Sequence, residues 1–219
     1  RGPKEPRLGA DVAGTVEAVG ASVTEFAPGD DVFGGAAGAF AEYVCGRPKS
    51  LARKPDSVSF EQAATLNIAG LTALQGLRDK GNLQAGQQVL VNGASGGVGT
   101  FAVQIASGKG AEVTGVCSTG NLELVRSLGA AHTIDYTHDD FTTTDRRYDV
   151  ILDNVATRRP AAYRRVLAPD GSYVAVGSLR MGDWIGPLTF LGGVRLAGMF
   201  RSQTMAVMLA TTNSADLQE

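Results

Sequence analysis

The spacing of apolar and polar positions changes character near residue 58, and the two parts predict different elements. Before that point, apolar residues come in short alternating runs between glycine-rich turns. Asp11 to Val19 alternates like a strand, with Gly14 marking a bulge or a close backbone approach. Pro28-Gly29-Asp30-Asp31 is a turn signal, and Val32-Phe33-Gly34 follows as a second short strand. Phe40 to Val44 reads as a third. Closely spaced strands with glycine turns predict an all-β segment, part of a small barrel.

Beyond residue 58 the period lengthens. Ser59 followed three residues later by Gln62 fits a capping box, opening an alanine- and leucine-rich helix to about Ala69. Leu71 to Asp79 reads as a second helix, ended by Lys80-Gly81. Strands are then expected at 89–92, 112–116, 132–136, 150–155 and 172–176, interleaved with helices over 97–107, 121–128 and 160–167. Such alternation specifies the α/β class, a doubly wound parallel sheet covered on both faces. Val194 to Phe200 is a candidate sixth strand, weakened by Gly198.

Composition narrows the function classes. The chain has 219 residues, 43% hydrophobic, enough to bury the core of one large domain or one and a half. Charged residues make up 19% and the net charge is -2, which argues against disorder and against bulk electrostatic binding of nucleic acid or membrane. Two cysteines, Cys45 and Cys117, exclude a disulfide scaffold and a cysteine-rich zinc site, and fit a reducing, cytoplasmic setting. No apolar run approaches the roughly 18 residues needed to span a bilayer. The chain opens at Arg1 rather than Met, and its last helix lacks a stop signal, so a piece of a longer protein is expected.

The strongest chemical signal is Val91-Asn92-Gly93-Ala94-Ser95-Gly96-Gly97-Val98-Gly99, between an apolar strand and an amphipathic helix. Gly96 lets backbone amides approach a pyrophosphate, which the helix N-terminus stabilises through free N–H groups and its dipole. Gly99 permits close helix–strand packing. Ala94 stands where a dinucleotide fingerprint usually has its first glycine. A plain tight turn is the competing reading, and four glycines within residues 93–99 favour the phosphate loop.

An NAD site normally places Asp or Glu about 20 residues past this loop, at the end of the second strand. Here that strand ends Val116-Cys117-Ser118-Thr119-Gly120-Asn121, with hydroxyls and an amide but no carboxylate. A 2′-phosphate accepts hydrogen bonds from Ser118 and Thr119, so NADPH is favoured over NADH. The nearest cation, Arg126, lies well into the next helix. Ser118 and Thr119 also suit an N-cap cluster, and both roles are compatible.

Gly9-Ala10-Asp11-Val12-Ala13-Gly14, Gly29-Asp30-Asp31-Val32-Phe33-Gly34, Ala69-Gly70-Leu71-Thr72-Ala73, the glycine loop, Ser127-Leu128-Gly129-Ala130 and Ile134-Asp135-Tyr136 together resemble the medium-chain dehydrogenase/reductase superfamily. The similarity is greatest to its zinc-independent quinone oxidoreductases of the zeta-crystallin type. It implies part of a GroES-like β-barrel domain over 1–57, a Rossmann domain over 58–200, and the truncated start of a return to the barrel over 201–219. It implies a pyrophosphate held by Ala94, Ser95, Gly96, Gly97 and Val98, with Ser118, Thr119 and Tyr136 near the adenosine phosphate. Thr72, Asn154, Val155, Gly177 and Ser178 would line the nicotinamide end; an N-cap role for Thr72 and a strand-end turn for Asn154 compete. Zinc-dependent relatives have Gly-His-Glu where this chain has Gly9-Ala10-Asp11, so no metal is expected; His132 and His138 lack ligand-like spacing.

The implied reaction is NADPH-dependent reduction of a small-molecule quinone, enone or related carbonyl by hydride transfer, with the cofactor carrying the chemistry. No proton donor stands out between the phenols of Tyr43 and Tyr163. The alternatives are a non-enzymatic NADP(H)- or RNA-binding protein of the same fold, or an inactive fragment. Arg146-Arg147, Arg158-Arg159 and Arg164-Arg165 are the basic pairs that RNA would need on one face, and a solvated surface is the favoured reading. A homodimer through the edge strand near 194–200 is expected, since an unpaired apolar edge invites association.

Overall fold

The computed structural model describes residues 7–176 and 202–219. The chain divides into two compact units, Arg1–Leu71 with Ala210–Glu219, and Thr72–Leu209.

In the first unit, β1 (Asp11–Thr15), β2 (Asp31–Gly35) and β3 (Leu51–Arg53) form an antiparallel sheet in that order. Asp11 pairs with Gly35, and Phe33 with Ala52. The capping box is complete: Ser59 Oγ accepts from the Gln62 N–H, and the Ser59 N–H donates to Gln62 Oε1. It starts α1 (Phe60–Ala63), after which the chain widens into a π-helical turn at Leu66–Gly70. Phe33, Ala52 and Ala63 are buried together, with Val58, Leu66 and Leu217 against them. This apolar contact groups the stretch from Phe60 to Gly70 with the small sheet. Buried Asn67 donates to the Asp11 carboxylate at 2.8 Å and accepts from the Thr212 hydroxyl at 2.9 Å, tying first strand to chain end.

One expected strand is absent. Phe40 to Val44 makes no ladder; Phe40 and Tyr43 are 77% and 70% exposed, and the Phe40 N–H bonds the Leu8 carbonyl instead. Alternation alone does not make a strand when no neighbour is there to pair with it. The strand beside β2 is Leu51–Arg53, three residues that carry no readable period.

The second unit opens with α2 (Leu71–Gln75) and a second π-helical turn at Gly76–Lys80. Its sheet comprises β4 (Gln88–Asn92), β5 (Glu112–Cys117), β6 (His132–Asp135), β7 (Tyr148–Asp153), β8 (Leu167–Ala175) and β9 (Thr204–Val207). The order is β6-β5-β4-β7-β8-β9, parallel throughout. Crossovers include α3 (Gly97–Gly108), α4 (Leu122–Ser127) and α5 (Pro160–Val166). The sixth described strand of this sheet is Thr204–Val207; Val194 to Phe200, the candidate sixth strand from sequence, lies outside the described residues.

Val89, Leu90, Val91, Ile151 and Leu152 are fully buried. Central strands covered on both faces read as continuous apolar runs, and each such side chain contributes roughly 1.5–3 kcal/mol. Strand order reverses between β4 and β7, which leaves a crevice at their C-terminal ends where ligands of doubly wound sheets bind. No helix among the described residues is long and apolar enough to cross a membrane.

Ala94, in place of the usual first glycine, is accommodated from the sheet side. A Cβ added at Gly115 of β5 would lie 3.1 Å from Ala94 Cβ and 2.4 Å from Val125 Cγ1. Gly115→Ala is expected to destabilise the chain by about 1–3 kcal/mol, read in urea unfolding, with part of the loss recovered in the double variant carrying Ala94→Gly.

Candidate functional site

A cavity of about 880 Å³ opens at this crevice, lined by the glycine loop and by residues following β5, β6 and β7. The loop is fixed by its own backbone. Gly93 takes φ +76, a left-handed conformation that glycine adopts without a Cβ penalty. The N–H groups of Gly93 and Ala94 donate to the Val116 carbonyl at 3.1 and 2.9 Å, and that of Gly96 to the Gly93 carbonyl at 3.1 Å. Helix α3 then starts at Gly97 with no side-chain cap. The first-turn N–H groups of Gly97, Val98 and Gly99 therefore have no intrahelical acceptor, and all three residues line the cavity. Free donors and the positive end of the helix dipole fit a pyrophosphate here.

A second observation concerns Asn154. Its Nδ2 donates to the Asn92 carbonyl at 3.0 Å, while its buried Oδ1 has no partner among the described residues. Asn154 lines the cavity, so this acceptor suits a hydroxyl such as a ribose carries. Among the described residues, the cavity lining includes no Asp or Glu and one cation, Arg158.

Asp153, fully buried at the end of β7, organises the wall. Its Oδ1 accepts from Asn92 Nδ2 at 2.8 Å and from the N–H groups of Val155 and Ala156 at 3.0 and 2.9 Å. Its Oδ2 accepts from the Tyr173 hydroxyl at 2.8 Å. Ala156 is held at φ +51, a conformation a side chain disfavours, and the carboxylate bonds that turn directly.

At the end of β5, Ser118 and Asn121 face the cavity, and Asn121 Nδ2 donates to Ser118 Oγ at 3.1 Å. Thr119 is not on the wall. Its hydroxyl donates to Asp135 at 2.5 Å, and Thr137 gives Asp135 a backbone and a hydroxyl bond at 2.9 and 2.6 Å. These donors hold the Asp135 carboxyl below the usual carboxylate range. Asp135 is thus the carboxylate near the second strand, but it is committed to threonines and does not line the cavity. Burial, and then the Asp135 charge, push the Cys117 thiol up.

Of the residues singled out from sequence, Ser95, Gly96, Gly97, Val98, Ser118, Tyr136, Asn154 and Val155 converge on this cavity. Ala94 is buried beneath the loop and Thr72 within α2, and neither lines it. Gly177 and Ser178 lie outside the described residues. Sequence reasoning missed Asn92, Phe141, Thr157 and Arg158. Asn92 was legible beside the loop; Phe141 and Arg158 arrive from loops after β6 and β7, which no local motif marks.

Tyr163 is excluded as a proton donor. It is fully buried, its ring lies 4.5 Å from that of Tyr173, and burial followed by the Asp153 charge raises its phenol far above the ordinary range. Tyr43 borders a separate cavity of about 860 Å³ in the first unit, together with Ala10 and Asn67. Arg146-Arg147 precede β7 and Arg158-Arg159 follow it, on either side of a six-residue strand that spans about 20 Å. Among the described residues, no three His, Cys, Asp or Glu side chains are grouped to hold a metal ion.

Comparison with known proteins agrees with this architecture. Residues 97–213 match the zinc-binding dehydrogenase family, and residues 1–56 match the alcohol dehydrogenase GroES-like domain. The chain is 39% identical over 184 residues to a zinc-type alcohol dehydrogenase-like protein of Schizosaccharomyces pombe, covering 77% of this chain and 52% of that protein. It is 35% identical over 222 residues to a quinone oxidoreductase of Pseudomonas aeruginosa, covering 97% of this chain and 66% of that one. A solved quinone oxidoreductase from Coxiella burnetii superposes with a TM-score of 0.83 at 30% identity, over 98% of this chain and 67% of that chain. The chain thus spans about half to two thirds of the length of these relatives. Sequence, sheet order and glycine loop agree, and the chain belongs to the medium-chain dehydrogenase/reductase superfamily.

Proposed function

We propose that this chain is part of an NADPH-dependent oxidoreductase that reduces a quinone, enone or related carbonyl compound without zinc. The observation that carries the reading is the cavity at the switch point, with unpaired helix N–H groups on one side and no carboxylate among its described lining residues. When bound, the dinucleotide would supply the hydride. In this reading the loop from Gly93 to Gly99 holds the pyrophosphate, Asn154 takes a ribose hydroxyl, and Ser118 offers a donor to a 2′-phosphate. An NADH site would instead use a carboxylate near Ser118 for the 2′-hydroxyl. The nearby Asp135 is bonded to Thr119 and Thr137, which supports the NADPH preference.

The quinone class is argued from the relatives of that name. Residues 1–57, 58–200 and 201–219 are read as part of a GroES-like domain, a Rossmann domain and the start of a return. Cytoplasmic placement and a homodimer complete the proposal.

Calorimetric titration with NADPH and NADH, side by side at one salt concentration, tests it. Tighter NADPH binding is expected, followed by NADPH consumption when a quinone or enone is added. Equal affinities would remove the argument from the second strand. Failure to bind either nucleotide would overturn the whole reading.

A further inference from the structure

We infer that Arg158 is the specificity-determining residue for the adenosine 2′-phosphate, a role no local motif near Ser118 reveals. The inference rests on the dinucleotide reading of this cavity and adds the cation that reading lacks. A dianionic phosphate inside a cavity needs more than neutral hydroxyls, and among the described residues Arg158 is the one Lys or Arg lining it.

Its placement is determined by the fold. Arg158 follows β7, and its backbone N–H donates to the hydroxyl of fully buried Tyr163 at 3.2 Å, which anchors the residue from below. Its guanidinium lies 3.6 Å from Asp140 Oδ2, in the loop that follows β6. That loop also supplies Tyr136 and Phe141 to the cavity, and the Tyr136 N–H bonds the Cys117 carbonyl, next to Ser118. The chain of contacts Arg158–Asp140 and Tyr136–Cys117 puts the guanidinium on the loop that borders the end of β5, the position where such folds read the 2′ substituent.

Asp140 makes this cation adjustable. Its Oδ1 is committed to the N–H and hydroxyl of Thr142, at 3.0 and 2.8 Å, so Oδ2 is the oxygen that competes for Arg158. The pair is solvent-exposed, at 42% and 41%, and correspondingly weak, so a phosphate offering two fixed oxygens outcompetes one carboxylate oxygen. On binding, the guanidinium exchanges Asp140 for the 2′-phosphate.

The test uses the whole chain and two fragments of the cofactor, 2′-phospho-adenosine diphosphoribose and adenosine diphosphoribose, titrated by calorimetry. Arg158→Ala is expected to weaken the phosphorylated probe about 10- to 100-fold and leave the other unchanged. Arg158→Lys, which keeps charge but loses the fork, should fall between. Asp140→Asn keeps the Oδ1 bonds to Thr142 and removes the competing charge, so it should tighten the phosphorylated probe about twofold to fivefold. A purely structural role for Arg158 would not produce that opposite change. Equal weakening of both probes would assign Arg158 to the pyrophosphate and overturn the inference, as would no change in either. If the unmodified chain binds neither probe, it is the dinucleotide reading that fails, and Arg158 falls with it.

Discussion

Replacing Gly99 by alanine is expected to cost about 3 kcal/mol or more of folding stability and to abolish nucleotide binding. A Cβ at that position would lie 2.0 Å from the Gly93 carbonyl oxygen and 2.7 Å from Ala94 Cα. Both are backbone atoms, and the loop that carries them is pinned to Val116 by two hydrogen bonds, so no side-chain rotation relieves the clash. Either α3 lifts from the sheet or the loop leaves its donor geometry. Gly96→Ala is the matched control. Its Cβ would meet only the Gly93 oxygen, at 3.4 Å, and Gly96 has φ -81, which alanine tolerates. That variant should fold within about 1 kcal/mol of the parent while losing affinity, because the added methyl occupies the approach to the free N–H groups. Urea unfolding and NADPH titration of the pair separate packing from binding. Parent-like stability in Gly99→Ala would show that the close approach of helix and loop is not required.

Asp153→Ala is expected to destabilise the chain by about 3–5 kcal/mol, the range for leaving buried charged-group partners unpaired. Four donors lose their acceptor at once: Asn92 Nδ2, the Tyr173 hydroxyl and the N–H groups of Val155 and Ala156. The left-handed Ala156 loses one of the bonds that hold it, so the wall carrying Asn154 and Thr157 is expected to relax. Asp153→Asn gives the contrast. Its oxygen keeps the three donors at Oδ1, and the Tyr173 hydroxyl turns to accept from the new amide, so most of the stability should remain. Comparing urea midpoints at unchanged slope, with NADPH affinity beside them, tests both statements. An alanine variant as stable as the parent would refute the role given to the carboxylate.

An element that explains itself locally is legible in the sequence. The Ser59–Gln62 capping box needs only four consecutive residues, and both of its bonds form. The glycine loop is equally local, because strand, tight turn and helix start are contiguous. Its partner requirement was hidden: the tolerance of Ala94 depends on Gly115, on a strand whose pairing with β4 is fixed only when the sheet assembles. Phe40 to Val44 failed for the related reason that alternation describes a half-buried ribbon without saying what pairs with it.

The chemistry of the site divides along the same line. Sequence alone determined the α/β class, the glycine loop between strand and helix, and Ser118 in place of an acid after the second strand, because each is a relation between near neighbours. Only the tertiary structure decided that Thr119 turns to Asp135 and that Asp153 anchors the wall. It also brought Arg158, forty residues beyond Ser118, to the same cavity. A parallel sheet gathers the C-terminal ends of strands far apart in the chain. Which side chains meet there follows from strand order and loop path, and neither leaves a periodic trace in the residues themselves.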